Sequence, residues 1–449
     1  MIKKALNILK EKNVQSLAGN VFTAGFGFLT FVVLTRSFEK EVFGEWVLYL
    51  TGATFVEMFR FGITRTALIR FLAGAKDEDQ EKLIGSNWLI GLVASLIIAI
   101  LLWASLFLFP EQVKSSGFLL FFKWYPVLAF LNLPFNNALT ILQARQHFGQ
   151  IFLVKFLNSF LFFAGLAVNL FWLHYDLIYV IWYHLGVSVV VSLTTIFAGW
   201  DGLKYLRKAD KKTNKVILNF GKYTTLTLIG TNLLKSADTF IIALSPLGTA
   251  AVALYSIPLK LTELLQIPLR SLVATAFPKM SKASVQNDIK MVRYYFYSYA
   301  GSLSILFIPI AVVGFFFSDL FVLILGGEQY IGIDPVTGAS TSMIFKVFAI
   351  YGLLLPIDRL TGVGLDSINR PKKNFYKIIF MVMANIIGDL IAVFVFKSIL
   401  AVAVVTILFT LLGVVIGYYY LNKELKLKFR LIWIEGWKVY LMKFKQFVK

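Results

Sequence analysis

The sequence predicts an all-α polytopic membrane protein with about twelve transmembrane helices. Three properties support this fold class: composition, hydropathy and the distribution of charge. Hydrophobic residues make up 58% of the 449 residues, and the mean hydropathy is +0.76. Charged residues account for only 15% of the chain, whereas a soluble domain carries about a quarter. A surface so poor in charge is stable only when lipid covers it, so we predict a membrane protein.

Apolar runs of about 20 residues, long enough to cross a bilayer, occur on both sides of a polar stretch at 200–222. The runs in the first half are 15–36, 43–64, 85–108, 117–141, 150–173 and 176–199. The runs in the second half are 219–244, 250–276, 294–317, 341–364, 375–396 and 399–421. We interpret the first run as a retained helix rather than a signal peptide, because it is long and lacks a small-residue cleavage motif.

The net charge of +20 follows this topology. With a cytoplasmic N-terminus, most of the 44 Lys and Arg fall in cytoplasmic segments, including 204–215 and 370–373. Basic residues are concentrated on the cytoplasmic side of membrane proteins, so we predict a multi-pass inner-membrane protein with both termini cytoplasmic. The basic segments would contact anionic membrane lipid, and the charge does not call for a nucleic-acid partner.

The polar stretch also predicts a division into two halves. Weak similarity between them, such as 44–48 against 253–257, favours parallel repeats. Repeats of this kind form two six-helix bundles around a central cavity near mid-membrane. We therefore expect an N-terminal bundle at 1–208, a C-terminal bundle at 209–428, and an amphipathic cytoplasmic tail at 429–449.

Charged residues inside the predicted spans are the candidate binding residues, because a charge in mid-membrane costs about 2.5–3.5 kcal/mol and needs a partner or a water-filled cavity. They are Glu57 and Arg60 in helix two, Lys235 and Asp238 in helix seven, and Lys260, Glu263 and Arg270 in helix eight. In each helix the first two lie three residues apart, on one helix face. They form either a net cationic cavity surface, led by Arg60 and Arg270, or neutral intrahelical pairs that hold the bundles together.

Cofactor and metal chemistry are not indicated. The chain has no Cys, three scattered His and no phosphate-binding glycine loop, so we predict no cofactor, no metal site and no ATP hydrolysis. Asp389 is isolated in helix eleven, where it either pairs elsewhere or binds a cation. Asp358 lies toward an end of helix ten, where extension of the side chain to the interface explains it.

Short motifs along the whole chain carry a family resemblance. They are LTRSFEKEVFGEWVLYL at 34–50, GITRTALIRFLAG at 62–74, LQARQHFGQIFLVK at 142–155, LGTAAVALYSIPLKL at 247–261, FPKMSK at 277–282 and INRPKK at 368–373. Their order and spacing resemble the polysaccharide and O-antigen flippases, which carry lipid-linked oligosaccharides. These flippases belong to the multidrug/oligosaccharidyl-lipid/polysaccharide exporter superfamily.

The resemblance implies a flippase that moves polyprenyl-diphosphate-linked oligosaccharide from the cytoplasmic to the outer leaflet by alternating access. Such a protein serves surface polysaccharide and lipopolysaccharide biosynthesis, and is expected to be a monomer near a polysaccharide polymerase and glycosyltransferases. Its cationic side chains would bind the diphosphate, since Arg matches such oxygens bidentately. A proton or sodium ion is the candidate coupling ion, through Glu57, Asp238 or Glu263.

Two alternatives remain at this point. A cation-coupled multidrug exporter of the same superfamily would share the fold, but its site would be rich in aromatic residues and Met. A polyprenyl-dependent membrane glycosyltransferase would need paired acids, which Glu39 and Glu41 offer in the first outer loop. The outer segments are too short for an acceptor-binding domain, so we predict a transporter rather than an enzyme.

Overall fold

The computed structural model describes residues 12–72, 75–335 and 337–447; some helical side chains, including those of Thr231 and Lys235, lie outside the description. Within these ranges the protein is helical and has no β-strand, apart from an isolated antiparallel bridge between Ile333 and Ser340. The predicted all-α polytopic fold is confirmed.

The first half contains α1 to α8 and the start of α9. Their bounds are α1 Lys12–Ser37, α2 Lys40–Leu72, α3 Asp77–Leu108, α4 Pro110–Ser115, α5 Leu119–Leu131, α6 Leu133–Ala144, α7 Phe148–Val168 and α8 Leu177–Phe197. The later helices are α9 Lys211–Ala243, α10 Gly248–Val285, α11 Ile289–Phe316, α12 Ser318–Gly326, α13 Thr341–Ser367, α14 Pro371–Leu390, α15 Ile399–Leu425 and α16 Phe429–Phe447. Each predicted span therefore corresponds to one helix or to one bent pair.

In the described ranges, six helices are long and apolar enough to cross a membrane. The number of candidate spans is eight when each of two bent pairs is counted as one span. One bent pair is α5 with α6, which meet at 50°, and the other is formed by two parts of α10. The remaining predicted spans correspond to α1, α2, α9 and α13. These helices have 26, 33, 33 and 27 residues, and several of them bury polar or charged side chains.

The chain separates into two compact units, Met1–Ser236 and Ala237–Lys449. The division falls inside α9, because the early part of this helix packs into the first unit, where Ile217 is fully buried against Ala67 and Leu68. The predicted boundaries at 208/209 and 428/429 follow the polar linkers instead, and they stay a prediction.

Aromatic packing joins two helices of unit 1. α1 lies along α7, and Phe22 and Phe26 of α1 contact Phe156 of α7 with ring centroids 5.9 and 5.8 Å apart. Edge-to-face aromatic pairs contribute roughly 0.5–1.5 kcal/mol beyond the area they bury. Contacts between phenylalanine rings therefore contribute to holding α1 against α7.

The segment between α8 and α9 is held against α3. The Trp88 indole N–H donates to the Asp201 carbonyl at 2.7 Å. Asp210 precedes α9 and accepts from the Lys212 and Thr213 backbone N–H groups, which is the usual way to begin a helix. The Thr213 hydroxyl, together with these N–H groups, lowers the pKa of Asp210. The basic linker is thus ordered rather than a free tether.

Unit 2 is organised around α13, which packs against α10, α11 and α15, while α14 packs on α15. Its core includes Phe296, Leu303 and Phe307 of α11 with Leu360 of α13, all at most 1% exposed. Proline occurs inside three of these helices, including Pro356 in α13. Each such proline removes a helical hydrogen bond, and α10, which has three prolines, is bent by 41°.

The two units share an unusual backbone feature. In unit 1, α7 continues into a π-helical turn at Asn169–Leu173, followed by left-handed His174 with φ 52°. In unit 2, α14 continues into a π-helical turn at Ile391–Val395, followed two residues later by left-handed Lys397 with φ 49°. In each unit the π-helical turn lies at the end of the fifth predicted span, just before the sixth. This shared position supports the predicted internal repeat.

The tail forms a helix, α16, that docks on α11. The Lys428 N–H donates to the Tyr297 hydroxyl at 2.7 Å, and the Tyr440 hydroxyl donates to the Ser302 carbonyl at 2.8 Å. At the crossing point Gly301 faces Gly436, and a Cβ on Gly301 would lie 2.8 Å from the Gly436 Cα. Only glycine allows this approach of the two backbones.

Substituting Gly301 with Ala should destabilise the protein, because overpacking a tight contact typically costs about 1–3 kcal/mol. Gly186→Ala is the matched control, since Gly186 lies in α8 with no atom within 4 Å of its Cβ position. That change should be neutral or stabilising, since Ala is a better helix former by about 0.5–1 kcal/mol. Thermal unfolding in detergent compares the two. Equal effects would show that the glycine crossing does not hold the tail.

Candidate functional site

Arg60 lies at the centre of a buried network in unit 1. Its guanidinium, only 1% exposed, donates to Glu57 Oε1 at 2.6 Å, to Ser95 Oγ at 3.0 Å and to the Ala129 carbonyl. The Tyr125 hydroxyl donates to the same Glu57 oxygen at 3.0 Å. Glu57 and Arg60 thus form the ion pair that their spacing predicts, and the pair also joins α2 to α3 and α5.

The charged residues of α10 are more accessible. Lys260 Nζ and Glu263 Oε2 are 3.0 Å apart, with side chains 30% and 59% exposed, so this predicted pair also forms. Exposed pairs of this kind contribute only about 0–1 kcal/mol. Arg270, two to three turns further along the helix, is also exposed. The accessible part of the predicted cationic set therefore lies on α10.

Asp238, near the end of α9, accepts hydrogen bonds from three other helices of unit 2. The Tyr255 hydroxyl of α10 donates to Oδ2 at 2.6 Å, and the Asn385 Nδ2 of α14 donates to Oδ1 at 3.0 Å. The Thr406 hydroxyl of α15 lies 3.5 Å from Oδ2. The Lys235 side chain, which the sequence places three residues earlier, lies outside the described side chains.

Asp389 completes this group. The Asn385 Nδ2 that binds Asp238 also donates to Asp389 Oδ2 at 2.9 Å, so one nitrogen holds two carboxylates. Asn385 and Asp389 are fully buried, and Asp238 is 5% exposed. Asp389 Oδ1 and Asn385 Oδ1 are buried oxygens without a hydrogen-bond partner among the residues that the structure describes. We call Asp238, Asn385, Asp389, Tyr255 and Thr406 the carboxylate cluster.

The chemistry of the carboxylate cluster favours a bound cation or proton. Two like charges so close in a low-dielectric interior cannot both remain ionised without a compensating positive charge. No Lys or Arg among the described side chains contacts either carboxylate. Carboxylate, amide and hydroxyl oxygens are the ligands that hard cations prefer. The π-helical turn that begins two residues after Asp389 fits this assignment, since such turns are frequent at functional sites.

A second buried charge pair lies about two to three turns from the cluster on α14. Lys377 Nζ is 2.6 Å from Asp358 Oδ1, and it donates to the Asp358 carbonyl at 2.7 Å and to Thr361 Oγ1 at 3.3 Å. Lys377 is 3% and Asp358 6% exposed. The sequence-based explanation of Asp358, extension of its side chain to the interface, was therefore wrong. The side chain points inward to a partner on the neighbouring helix.

The structure thus brings together some predicted residues and separates others. Glu57 meets Arg60 in unit 1, and Lys260 meets Glu263 in unit 2. Asp238 instead meets Asn385, Tyr255 and Thr406, none of which the sequence analysis selected. The available signal was Asn385 and Asp389, four residues apart within an apolar helix, because polar residues with this spacing share a face. Substrate binding by the predicted set stays a prediction.

Comparison with known proteins assigns the family. Residues 10–284, more than half of the chain, match the family model described as polysaccharide biosynthesis protein. The chain belongs to this polysaccharide biosynthesis protein family. No curated protein matches the sequence significantly. The predicted family resemblance is confirmed.

Several solved structures of membrane transporters have the same fold. An inward-facing multidrug resistance MATE family transporter of the MOP superfamily superposes with a TM-score of 0.73 at 14% identity, covering 92% of this chain and 99% of that chain. The lipid II flippase MurJ, in an inward closed conformation, gives a TM-score of 0.72 at 17% identity, covering 97% and 92%. A MOP superfamily transporter from Pyrococcus furiosus gives 0.59 at 14% identity, covering 92% and 94%. These identities establish the fold alone, which is that of a membrane transporter.

Replacing Arg60 with Met should destabilise unit 1 strongly, because removal of one partner from a buried ion pair costs about 3–5 kcal/mol. Adding Glu57→Gln should recover much of this loss, since no unpaired carboxylate then remains. Lys260→Met, at an exposed pair, should change stability by less than about 1 kcal/mol. Thermal unfolding of the three variants tests the order. A mild effect of Arg60→Met would show that the guanidinium is not structurally required.

Proposed function

We propose that the protein is a flippase that moves a polyprenyl-diphosphate-linked oligosaccharide from the cytoplasmic to the outer leaflet of the inner membrane for surface polysaccharide biosynthesis. Membership of the polysaccharide biosynthesis protein family supports the substrate class. The fold shared with a lipid II flippase supports the type of movement. The protein is a transporter and not an enzyme in this proposal, and it works by alternating access.

The carboxylate cluster is the observation that supports the coupling mechanism. Two buried carboxylates on α9 and α14 share one amide nitrogen, and a bound proton or cation would relieve their mutual repulsion. Occupancy changes the contacts between these helices, so an ion gradient can bias the conformation of unit 2. We propose that Na⁺ or H⁺ bound at Asp238 and Asp389 drives the transport cycle.

Orientation follows from the charge distribution. The basic segments at 204–215 and 370–373 would face the cytoplasm, together with both termini. Arg270 and the Lys260–Glu263 pair on α10 would supply accessible charge for the diphosphate, where Arg offers two parallel hydrogen bonds. The oligosaccharide hydroxyls need only a wet path, because the polyprenyl chain remains in lipid.

The direct test is translocation in sealed proteoliposomes that contain the protein and a labelled polyprenyl-diphosphate oligosaccharide. Protein-dependent movement between leaflets, accelerated by an imposed Na⁺ or pH gradient, is expected. Export of cationic drugs without movement of the lipid-linked sugar would instead identify a multidrug exporter. Cleavage or transfer of the sugar would identify a glycosyltransferase.

Asp389→Asn should abolish the gradient-dependent part of transport, lowering it at least tenfold, because a neutral amide cannot compensate a cation. The same change should leave thermal stability unchanged or raise it, since it removes a buried charge. Glu39→Gln with Glu41→Gln is the control, because both side chains are exposed, Glu39 just before α2 and Glu41 in its first turn, and transport should remain normal. Gradient-driven transport by Asp389→Asn at the wild-type rate would contradict coupling at this cluster.

Arg270→Ala should weaken binding of the diphosphate-linked lipid, raising the concentration for half-maximal transport by roughly tenfold, the effect of losing about 1.4 kcal/mol of charge-assisted hydrogen bonding. Arg430→Ala, an exposed cation of α16, is the matched control. Dependence of the initial rate on substrate concentration separates the two variants. The same affinity in both would exclude Arg270 from the diphosphate site.

A further inference from the structure

α14 buries one face that is largely polar. Its buried residues are Lys377, Met381, Asn385 and Asp389, and their spacing of four places them on a single stripe, with the apolar Met381 between the polar ends. Closer to the turn at 368–370, Asn374 Nδ2 donates to both carboxylate oxygens of Asp366, at 3.1 and 3.0 Å. Every polar member of this face therefore meets an acid of α13, of α9 or of α14 itself.

The stripe is long enough to cross much of the membrane. Lys377 and Asp389 are separated by about 18 Å along the helix axis at 1.5 Å per residue, against a hydrocarbon core of about 30 Å. Thr406, Thr410, Gly413 and Gly417 form the buried face of α15 opposite the stripe. A Cβ on Gly417 would lie 2.5 Å from Thr361 Oγ1 and 3.2 Å from Lys377 Cδ. The glycines thus allow the Lys377 side chain to fit between three helices.

The surroundings of Lys377 Nζ are those of a cation site. Three oxygens, Asp358 Oδ1, the Asp358 carbonyl and Thr361 Oγ1, lie within 3.3 Å of it. One of them is a carboxylate oxygen and two are neutral oxygens, whereas the carboxylate cluster further along the same helix contains two carboxylates. We call these three oxygens of Asp358 and Thr361 the oxygen cage. Unlike the carboxylate cluster, the oxygen cage is already occupied by the ammonium group of Lys377.

We propose that the oxygen cage is a second cation station, filled by Lys377, which blocks one end of an ion path that runs along α14 to Asp238 and Asp389. The inference rests on the proposed coupling function of the carboxylate cluster. With the proposed topology, the blocked end faces the cytoplasm through Asn374 and Asp366. While Lys377 occupies the cage, mobile Na⁺ or H⁺ reaches the cluster only from the opposite end. Coupling requires that the two ends are never open at the same time, and Lys377 closes one of them.

Lys377→Gln tests the block, because Gln retains hydrogen bonding but leaves Asp358 without a positive charge. Its thermal stability should rise with Na⁺, or with acid if the ion is H⁺, more steeply than that of the wild type. Lys377→Arg should keep the wild-type response, and Lys377→Gln with Asp358→Asn should lose the extra response. This measurement remains informative when Lys377→Gln is unstable, since the mobile cation should restore its folding. A loss of stability that neither ion restores would overturn the cage.

Ion flux is the second measurement. In substrate-free proteoliposomes, ²²Na⁺ uptake, or acidification of an internal pH dye, should increase at least tenfold for Lys377→Gln. The increase should disappear when Asp389→Asn is added, because the path passes the carboxylate cluster. The blocked path would be refuted if Lys377→Gln showed no increase in ion uptake. It would also be refuted if the increase remained in the double variant with Asp389→Asn.

Failure of this inference is distinguishable from failure of the proposed function. Wild-type protein that shows no stabilisation by Na⁺ or acid dependent on Asp389 would refute the coupling site itself. If Na⁺ or acid stabilises the wild-type protein through Asp389, but Lys377→Gln takes up neither ion, the coupling site is retained. Only the role of Lys377 is then refuted.

Discussion

Charge inside a bilayer has no water to solvate it, so each buried charge must find its partner on a neighbouring helix or within its own turn. This constraint explains which helices of each unit contact one another. In unit 1, Arg60 binds groups on α2 and α3 and a carbonyl of α5. In unit 2, Lys377 joins α14 to α13, and Asp238 joins α9 to α10, α14 and α15. Apolar packing alone does not determine which helices lie next to one another, since lipid and helix surfaces are equally apolar. The polar contacts therefore determine which helices are neighbours.

The two units have a similar backbone at one hairpin and different interiors. The π-helical turn after α7 follows a helix whose Phe156 and Phe160 rings stack 5.5 Å apart, whereas the turn after α14 follows the buried Asn385 and Asp389. Aromatic packing provides a contact for α1, and the buried oxygens form the proposed ion site. In the proposed function, two units with the same backbone turn would therefore have different roles, one structural and one responsive to an ion.

The sequence predicts well what local geometry decides. Span positions follow from run length, and the pairs Glu57–Arg60 and Lys260–Glu263 follow from three-residue spacing on a helix. The carboxylate cluster could not be predicted, because Asp238 and Asn385 lie 147 positions apart and only tertiary packing brings them together. The same holds for Lys377 with Asp358. Docking of α16 depends on the facing pair Gly301 and Gly436, and a single glycine in a helix does not identify its partner.

Coupling between the carboxylate cluster and the oxygen cage follows from their shared helix. Asn385, Asp389 and Lys377 all project from α14, so an axial shift or rotation that alters the first two also moves Lys377 relative to Asp358 on α13. Packed interfaces change between discrete arrangements rather than deforming continuously. If the cluster gains or loses its ion, the Lys377 contacts are therefore made or broken as a set. An ion site and its block on one rigid element would open alternately without a separate signal between them, and this is the physical basis on which one unit can restrict ion access to one end at a time.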